Sequence, residues 1–332
     1  MGSGSGLESR RGRRVALYRP FTREVLYGDT RLIERIYRMN SIFPTDKTEN
    51  LGISVPAPGS SAPPFMALIT NIIPDLGLAG VSAVQCFPQY SYSVDIANAN
   101  QLTGLSDSGT EELTKVENVT DRALAAYRAN YGPNVSKDDI FYYVYGILHS
   151  PEYRERYAAD LKKMLPRIPK VRQFAEFAEA GRKLADLHIN YETVTGYPLE
   201  VSIRLPSGGH STNDSELTEE QLRVTKMRFA GKRPNVDKST IVYNEQITLS
   251  GIPPEAHEYM LGSRSAIEWI LERYQIKTDK PSGIVNDPND WGLEHGNPRY
   301  ILDLLKSIVT VSVETVKIVN SLPPLEIIED QV

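Results

Sequence analysis

The sequence predicts an α+β fold. Strand-length runs rich in β-branched residues occupy both ends of the chain, from Val15 to about Gln101 and again from Leu199. Segments with helical spacing of apolar residues are grouped in a central block and at the C-terminal end. Helices and strands thus come in blocks rather than in strict βαβ alternation, which is the α+β arrangement. Four regions follow: a flexible tail over 1–13, a β-rich part over 14–132, a helical block over 133–195, and a C-terminal α+β part over 196–332.

Taken in order, MGSGSGLESRRGR (1–13) is too polar to form a core and reads as a flexible lead-in. VALYRPF and REVLYGD have strand length, and TRLIERIYRM has the spacing of one short helix. PAPGSSAPP, from Pro56 to Pro64, cannot be regular structure, because proline removes backbone donors and fixes φ. FMALITNIIP and AGVSAVQCFP are apolar runs of strand length. Asn118 to Tyr131 carries apolar residues at helical spacing. Ser136 stands three residues before Asp139, a capping-box pair that opens the helix DDIFYYVYGILHS. That helix is apolar nearly all round and is expected to be buried. Ser150 followed by Pro151 is a cap-then-proline start for EYRERYAADLKKML, which LPRIP ends. KVRQFAEFAEAGRKLADLHINYE is another long helix.

LEVSIRL, RVTKMRF and STIVYNEQITLSG read as strands, with a hairpin or bulge at Asn244–Glu245. Glu255 to Tyr274 is expected to be helical and Lys277 to Gly296 a polar loop. Asn297–Pro298 starts a final helix running to about Asn320, closed by Pro323–Pro324.

Of the 332 residues, 40% are hydrophobic and 24% charged, an ordinary globular composition. No run approaches the ~20 apolar residues of a membrane helix. The single cysteine, Cys86, excludes a disulfide within the chain, and a reducing, cytoplasmic setting is expected. The net charge of −5 conceals a segregation of sign. Arg223, Lys226, Arg228, Lys232, Arg233 and Lys238 face only Asp237 in their stretch, whereas Asp95 to Asp121 is acidic. Such a strip suits a surface that grips polyanion on one side, and it equally suits an ordinary solvated face.

Sequence motifs for common chemistries are missing. There is no phosphate-binding G-x-x-x-x-G-K-[ST], no G-x-G-x-x-G after a strand, no H-E-x-x-H and no G-x-S-x-G elbow. One cysteine cannot build a thiolate zinc site. The N-P-P-Y type motif of adenine methyltransferases is also absent. Asp287-Pro-Asn-Asp290 begins like a calcium loop, but Pro298 stands where the closing Glu is needed, so a turn held by Asn and Asp side chains is expected. His149, His188, His210, His257 and His295 are scattered. Phe141, Tyr142, Tyr143 and Tyr145 read as core.

Several blocks run in order through residues 15–323: Tyr18-Arg-Pro-Phe21; FYYVYGILHSPEYRERY (Phe141 to Tyr157) with LPRIP; AGRKLADLHINYE (Ala180 to Glu192); IVYNEQITLSGIPPEA; SAIEWILERYQIKTDKPSGIVNDPNDW; and NPRYILDLLKSIVTVSVETVKIV. Together they resemble the C-terminal target-recognition (specificity) domain of type ISP restriction–modification enzymes, the fused helicase/adenine-specific DNA methyltransferase family. SGIVNDPND with the final helix is the more specific signal, since related single-chain enzymes share YGILHSPEYR and LPRIP. The resemblance implies sequence-specific double-stranded DNA binding, which positions a target adenine for a methyltransferase and couples to a motor and nuclease. Those catalytic modules lie upstream of the matched region, so no catalytic residue, metal or cofactor is expected in this chain. S-adenosylmethionine, ATP and Mg²⁺ would serve the upstream modules of the parent enzyme.

Arginine and asparagine make the commonest bidentate contacts to guanine and adenine. Arg228, Asn235, Asn244 and Tyr243 are therefore the expected base readers. Lys226, Lys232, Arg233 and Lys238 are expected to hold phosphate, with Lys170 and Arg172 as further contacts from a second basic cluster that is interleaved with acids. Two alternatives stay open. One is a protein–protein docking module without base readout, for which the long final helix could serve. The other is a metal-dependent nuclease using Asp287, Asn289 and Asp290.

Overall fold

The computed structural model describes residues 13–28, 37–59, 64–80, 83–94, 113–205 and 207–328. The expected tail, apart from Arg13, and most of the helix expected over TRLIERIYRM lie outside the described residues.

The fold is α+β. It opens with an antiparallel hairpin, β1 (Arg13–Arg19) and β2 (Thr22–Tyr27), then a short helix, α1 (Met39–Ile42). β3 (Gly52–Pro56), β4 (Leu68–Thr70), β5 (Ile73–Pro74) and β6 (Val84–Pro88) follow. β3 pairs with β4 and β6, and β5 runs parallel to β1. β7 (Tyr90–Val94) pairs with β8 (Leu113–Glu117).

The helical block holds α2 (Asp121–Tyr131), α3 (Lys137–His149), α4 (Pro151–Arg156), α5 (Ala158–Leu161) and α6 (Phe174–Ile189). Ser136 and Asp139 form the expected reciprocal capping box, and Ser150 caps α4 ahead of Pro151. The one helix expected over EYRERYAADLKKML is broken at Tyr157, whose φ −108 and ψ 19 are not helical. α3 and α6 approach closely through two glycines. A Cβ on Gly146 would lie 2.2 Å from Phe177 O, and one on Gly181 would lie 1.8 Å from Tyr142 O.

The C-terminal part contains β9 (Glu200–Arg204), β10 (His210–Ser211), α7 (Glu219–Leu222), β11 (Arg228–Lys232), β12 (Asn235–Val242) and β13 (Ile247–Ser250). These strands make an antiparallel five-stranded sheet in the order β10-β9-β13-β12-β11. After a 3₁₀ turn (Pro254–His257) come the two-residue strands β14 (Met260–Leu261) and β15 (Arg264–Ser265), then α8 (Ala266–Arg273). The helix expected over Glu255–Tyr274 is thus confined to its last third, because Gly262 at φ 69 turns the chain into a hairpin. The expected polar loop holds a hairpin, β16 (Lys277–Thr278) and β17 (Val285–Asn286), and a helix, α9 (Asn289–Glu294). The final helix, α10 (Tyr300–Asn320), lies where expected.

Two cores organise these elements. The inner face of the five-stranded sheet (Val201, Ile203, Ile241, Tyr243, Ile247 and Leu249) packs with α8 and α10. α3 and α6 build the second core with Ile53, Val55 and Ile69. Successive side chains of a strand point to opposite faces, so on β4 Leu68 enters the first core and Ile69 the second. Leu17, Phe21 and Met66 also join the first core, so each core crosses the boundaries at 132 and 195. α10 is buried on most of its circumference, from Ile301 to Val316.

Candidate nucleic-acid interface

β11 and β12 form the edge ribbon of the five-stranded sheet. Met227 is buried at 2% exposure between exposed Lys226 and Arg228, so period-two alternation turns both cations outward. Lys232 pairs with Asn235 across the ribbon end, and Lys232, Arg233 and Asn235 are exposed. Gly231 is required here: its φ is 74, and an added Cβ would meet Asn235 O at 2.3 Å. The tip is therefore a fixed turn that presents two cations and an amide on a two-stranded ribbon, a shape that a major groove admits.

A register shift between Phe229 and Ala230 bulges residues 238–240 out of the ladder. The bulge carries Lys238 back to the body, where its Nζ lies 3.0 Å from Glu268 Oε1. Burial pushes the Glu268 carboxyl up, but the Ser265 amide and Lys238 more than offset this and hold it below its usual range. Lys238 is thus tied to α8 instead of standing with the ribbon cations.

Two expected base readers do other work. Tyr243 is fully buried, and its hydroxyl donates to Leu222 O at 2.9 Å. It faces the core because it shares the parity of Ile241 along the strand, and no base can reach it. Asn244 closes the β12–β13 turn. Its Nδ2 donates to Gln221 O and Arg223 O, and its Oδ1 accepts from the Gln246 and Ile247 amides. Its hydrogen-bonding capacity is thus used inside the fold. Lys170 and Arg172 lie off the sheet, beside the C-terminal segment, where Arg172 Nε is 3.5 Å from Glu326 Oε2 and Lys170 O accepts from Ile328 N.

The strand entering the ribbon is latched from below. Asn289 Oδ1 accepts from Val224 N at 2.9 Å and its Nδ2 donates to Val224 O at 2.8 Å. Asp287 accepts from Asn289 and is ion-paired with Arg223. Burial raises the Asp287 carboxyl, but the Asn289 and Arg223 hydrogen bonds outweigh it and keep the group ionised below the usual range. The Asp287–Asn289 loop is therefore the expected side-chain-stabilised turn, and both residues are engaged in positioning Arg223 and Val224. Among the described residues no group of three or more metal-ligating side chains converges.

The sequence reading missed β16–β17. Ile276 N donates to Thr225 O and Gln275 bridges Lys226, so this hairpin abuts the strand that feeds the ribbon. The Lys280-Pro-Ser-Gly283 run between Thr278 and Ile284 was a turn signal that could have revealed it.

Residues 8–304 match the Type ISP C-terminal specificity domain. The chain belongs to this family. The specificity domain is similar to part of a nuclease-deletion mutant of the Type ISP restriction–modification enzyme LlaGI in complex with a DNA substrate mimic, at 38% identity and a TM-score of 0.75. That likeness covers 96% of the domain and 25% of the LlaGI chain. It is also similar to the ATP-dependent Type ISP enzyme LlaBIII bound to DNA (35% identity, TM-score 0.79, 98% of the domain, 19% of that chain). A DrdV–DNA complex gives 35% identity and a TM-score of 0.77 over 96% of the domain and 29% of that chain. The specificity domain therefore spans less than a third of each of these chains. No curated protein matches it. Among the described residues no helix is long and apolar enough to cross a membrane.

Proposed function

We propose that this chain reads the sequence of double-stranded DNA with the β11–β12 ribbon. By fixing the register, it positions a target adenine for the methyltransferase of a parent restriction–modification enzyme and couples recognition to the motor and nuclease modules. The observation that carries this reading is the exposed cationic ribbon: Lys226, Arg228, Lys232, Arg233 and Asn235 all face solvent from one edge of the sheet. LlaGI, LlaBIII and DrdV, which share the fold at 35–38% identity, were each captured on DNA. In this reading Arg228 and Asn235 contact base edges while Lys226, Lys232 and Arg233 hold phosphate. S-adenosylmethionine, ATP and Mg²⁺ serve the other modules, and the setting is the cytoplasm.

The docking alternative loses its expected surface, since α10 is a core helix. The nuclease alternative loses two of its three ligands, Asp287 and Asn289, to the latch with Arg223 and Val224. The test compares Arg228→Ala with Lys232→Ala. Arg228→Ala should relax discrimination at one base pair by about 1–3 kcal/mol. Lys232→Ala should weaken all duplexes alike and lower the salt slope by about one ion. Identical behaviour of the two variants overturns the division of roles, and salt-independent binding overturns the DNA reading itself.

A further inference from the structure

We propose that the β16–β17 hairpin is a second DNA contact, seating Ile284 and Val285 against a minor groove while Lys280 meets phosphate. This rests on the DNA reading above. Ile284 is 67% and Val285 58% exposed, an unusual solvation for two adjacent β-branched residues. The hairpin is nevertheless well fixed. Asp279 N donates to Ile284 O, Gly283 N donates to Asp279 O, and Ser282 donates to Asp279 Oδ2 from both its amide and its hydroxyl. At its base Lys277 Nζ lies 3.1 Å from Glu272 Oε1, and Ile276 N donates to Thr225 O at 2.9 Å.

The occupant follows from charge and position. Asp287 is ion-paired with Arg223 and bonded to Asn289, while Asp279 accepts from Ser282 and remains an exposed, ionised carboxylate. Lys280 is exposed and takes no ion pair among the described residues, so the tip offers cation beside apolar surface. Apolar β-branched side chains have no donor for base edges, but they suit the walls of a minor groove, where apolar residues act as wedges. Because Gln275–Ile276 runs antiparallel to Thr225–Lys226, the hairpin leaves this edge in the direction opposite to the β11–β12 tip. The two tips then contact one duplex at separate places, with Lys226 and Arg228 between them.

The experiment attaches an iron–EDTA cleavage reagent to Ile284→Cys and, separately, to Asn235→Cys. Both variants are made in a Cys86→Ala background, because Cys86 is the chain's one native thiol and is only half-buried. The probe is a duplex enriched from a random-sequence pool by the unmodified chain. Strand scission from position 284, offset toward the 3′ side on the two strands as minor-groove attack requires, is the expected result. Ile284→Ser with Val285→Ser should weaken that duplex about tenfold while leaving the salt slope unchanged. Scission from 235 without scission from 284 overturns the hairpin contact and leaves the ribbon reading standing. Shielding of the introduced thiol at position 284 from thiol reagents in the DNA-free parent enzyme, without scission, reassigns the tip to docking within that enzyme and overturns the proposal. If no sequence is enriched, the DNA reading itself fails.

Discussion

His188 lies where the two cores meet. Tyr145 Oη accepts from the Ile69 amide and lies 2.6 Å from His188 Nδ1, and His188 Nε2 lies 2.8 Å from Thr315 Oγ1. Its ring stacks on Tyr259 at 5.1 Å. Burial, with the Arg154 guanidinium nearby, lowers its pKa to about 3. His149 is lowered in the same direction by burial, Arg154 and His188. A histidine held neutral in the fold takes up its proton more readily when unfolded. Its stabilising contribution is therefore complete above the unfolded value near 6.5 and is lost as pH falls from there toward 3. Each such histidine should cost about 1.4 kcal/mol per pH unit in that window. Urea midpoints at pH 7.5 and 5.5 should differ clearly for the wild type and less for His188→Gln; equal drops would show that His188 is not the group responsible.

At the same scale, Tyr243→Phe should destabilise by about 1–3 kcal/mol, because it strips the partner from a buried carbonyl, with no change in DNA discrimination. Altered discrimination in a folded Tyr243→Phe would return this residue to the interface. Its inward orientation was legible, since Ile241 and Tyr243 share a strand face and Met227 separates Lys226 from Arg228. The turn at Asn244 was legible, but its amide donation was not, because Gln221 O and Arg223 O come from a segment whose proximity only the fold creates.

Among the elements, α3 and its cap could be read directly, since Ser136, Asp139 and the apolar circumference are local signals. The α3–α6 crossing could not, as nothing local marks Gly146 and Gly181 as facing glycines. Gly181→Ala would force a methyl group against Tyr142 O and should destabilise by about 1–3 kcal/mol or more, measurable as a lower melting temperature. An unchanged melting temperature would mean that the two helices separate at little cost. The segment from Glu255 to Tyr274 misled because its apolar residues suit helical spacing, whereas the turn at Gly262 depends on a positive φ. α10 was correctly bounded but wrongly imagined as a docking surface: its length was local information, and its neighbours were not.

For the whole molecule, segregation of charge mattered more than the net value of −5. The basic stretch was visible in the sequence, but which of its members stand free was not. Arg223 and Lys238 are paired with Asp287 and Glu268, and the other cations of that stretch face solvent. The division at residues 132 and 195 followed composition, yet the cores cross both positions. Heating should therefore give one calorimetric transition whose van't Hoff and calorimetric enthalpies agree; two resolved transitions would show that the cores melt separately.

The shared wall at β4 also bears on how new specificities can be obtained. Leu68 and Ile69 fasten the two halves back to back, so exchanging an entire C-terminal half with a relative would bring together surfaces that never adapted to one another. If the β11–β12 turn reads bases as proposed, that short loop, anchored by Gly231 and reaching outward, is the unit to exchange, since replacing it leaves the seam untouched.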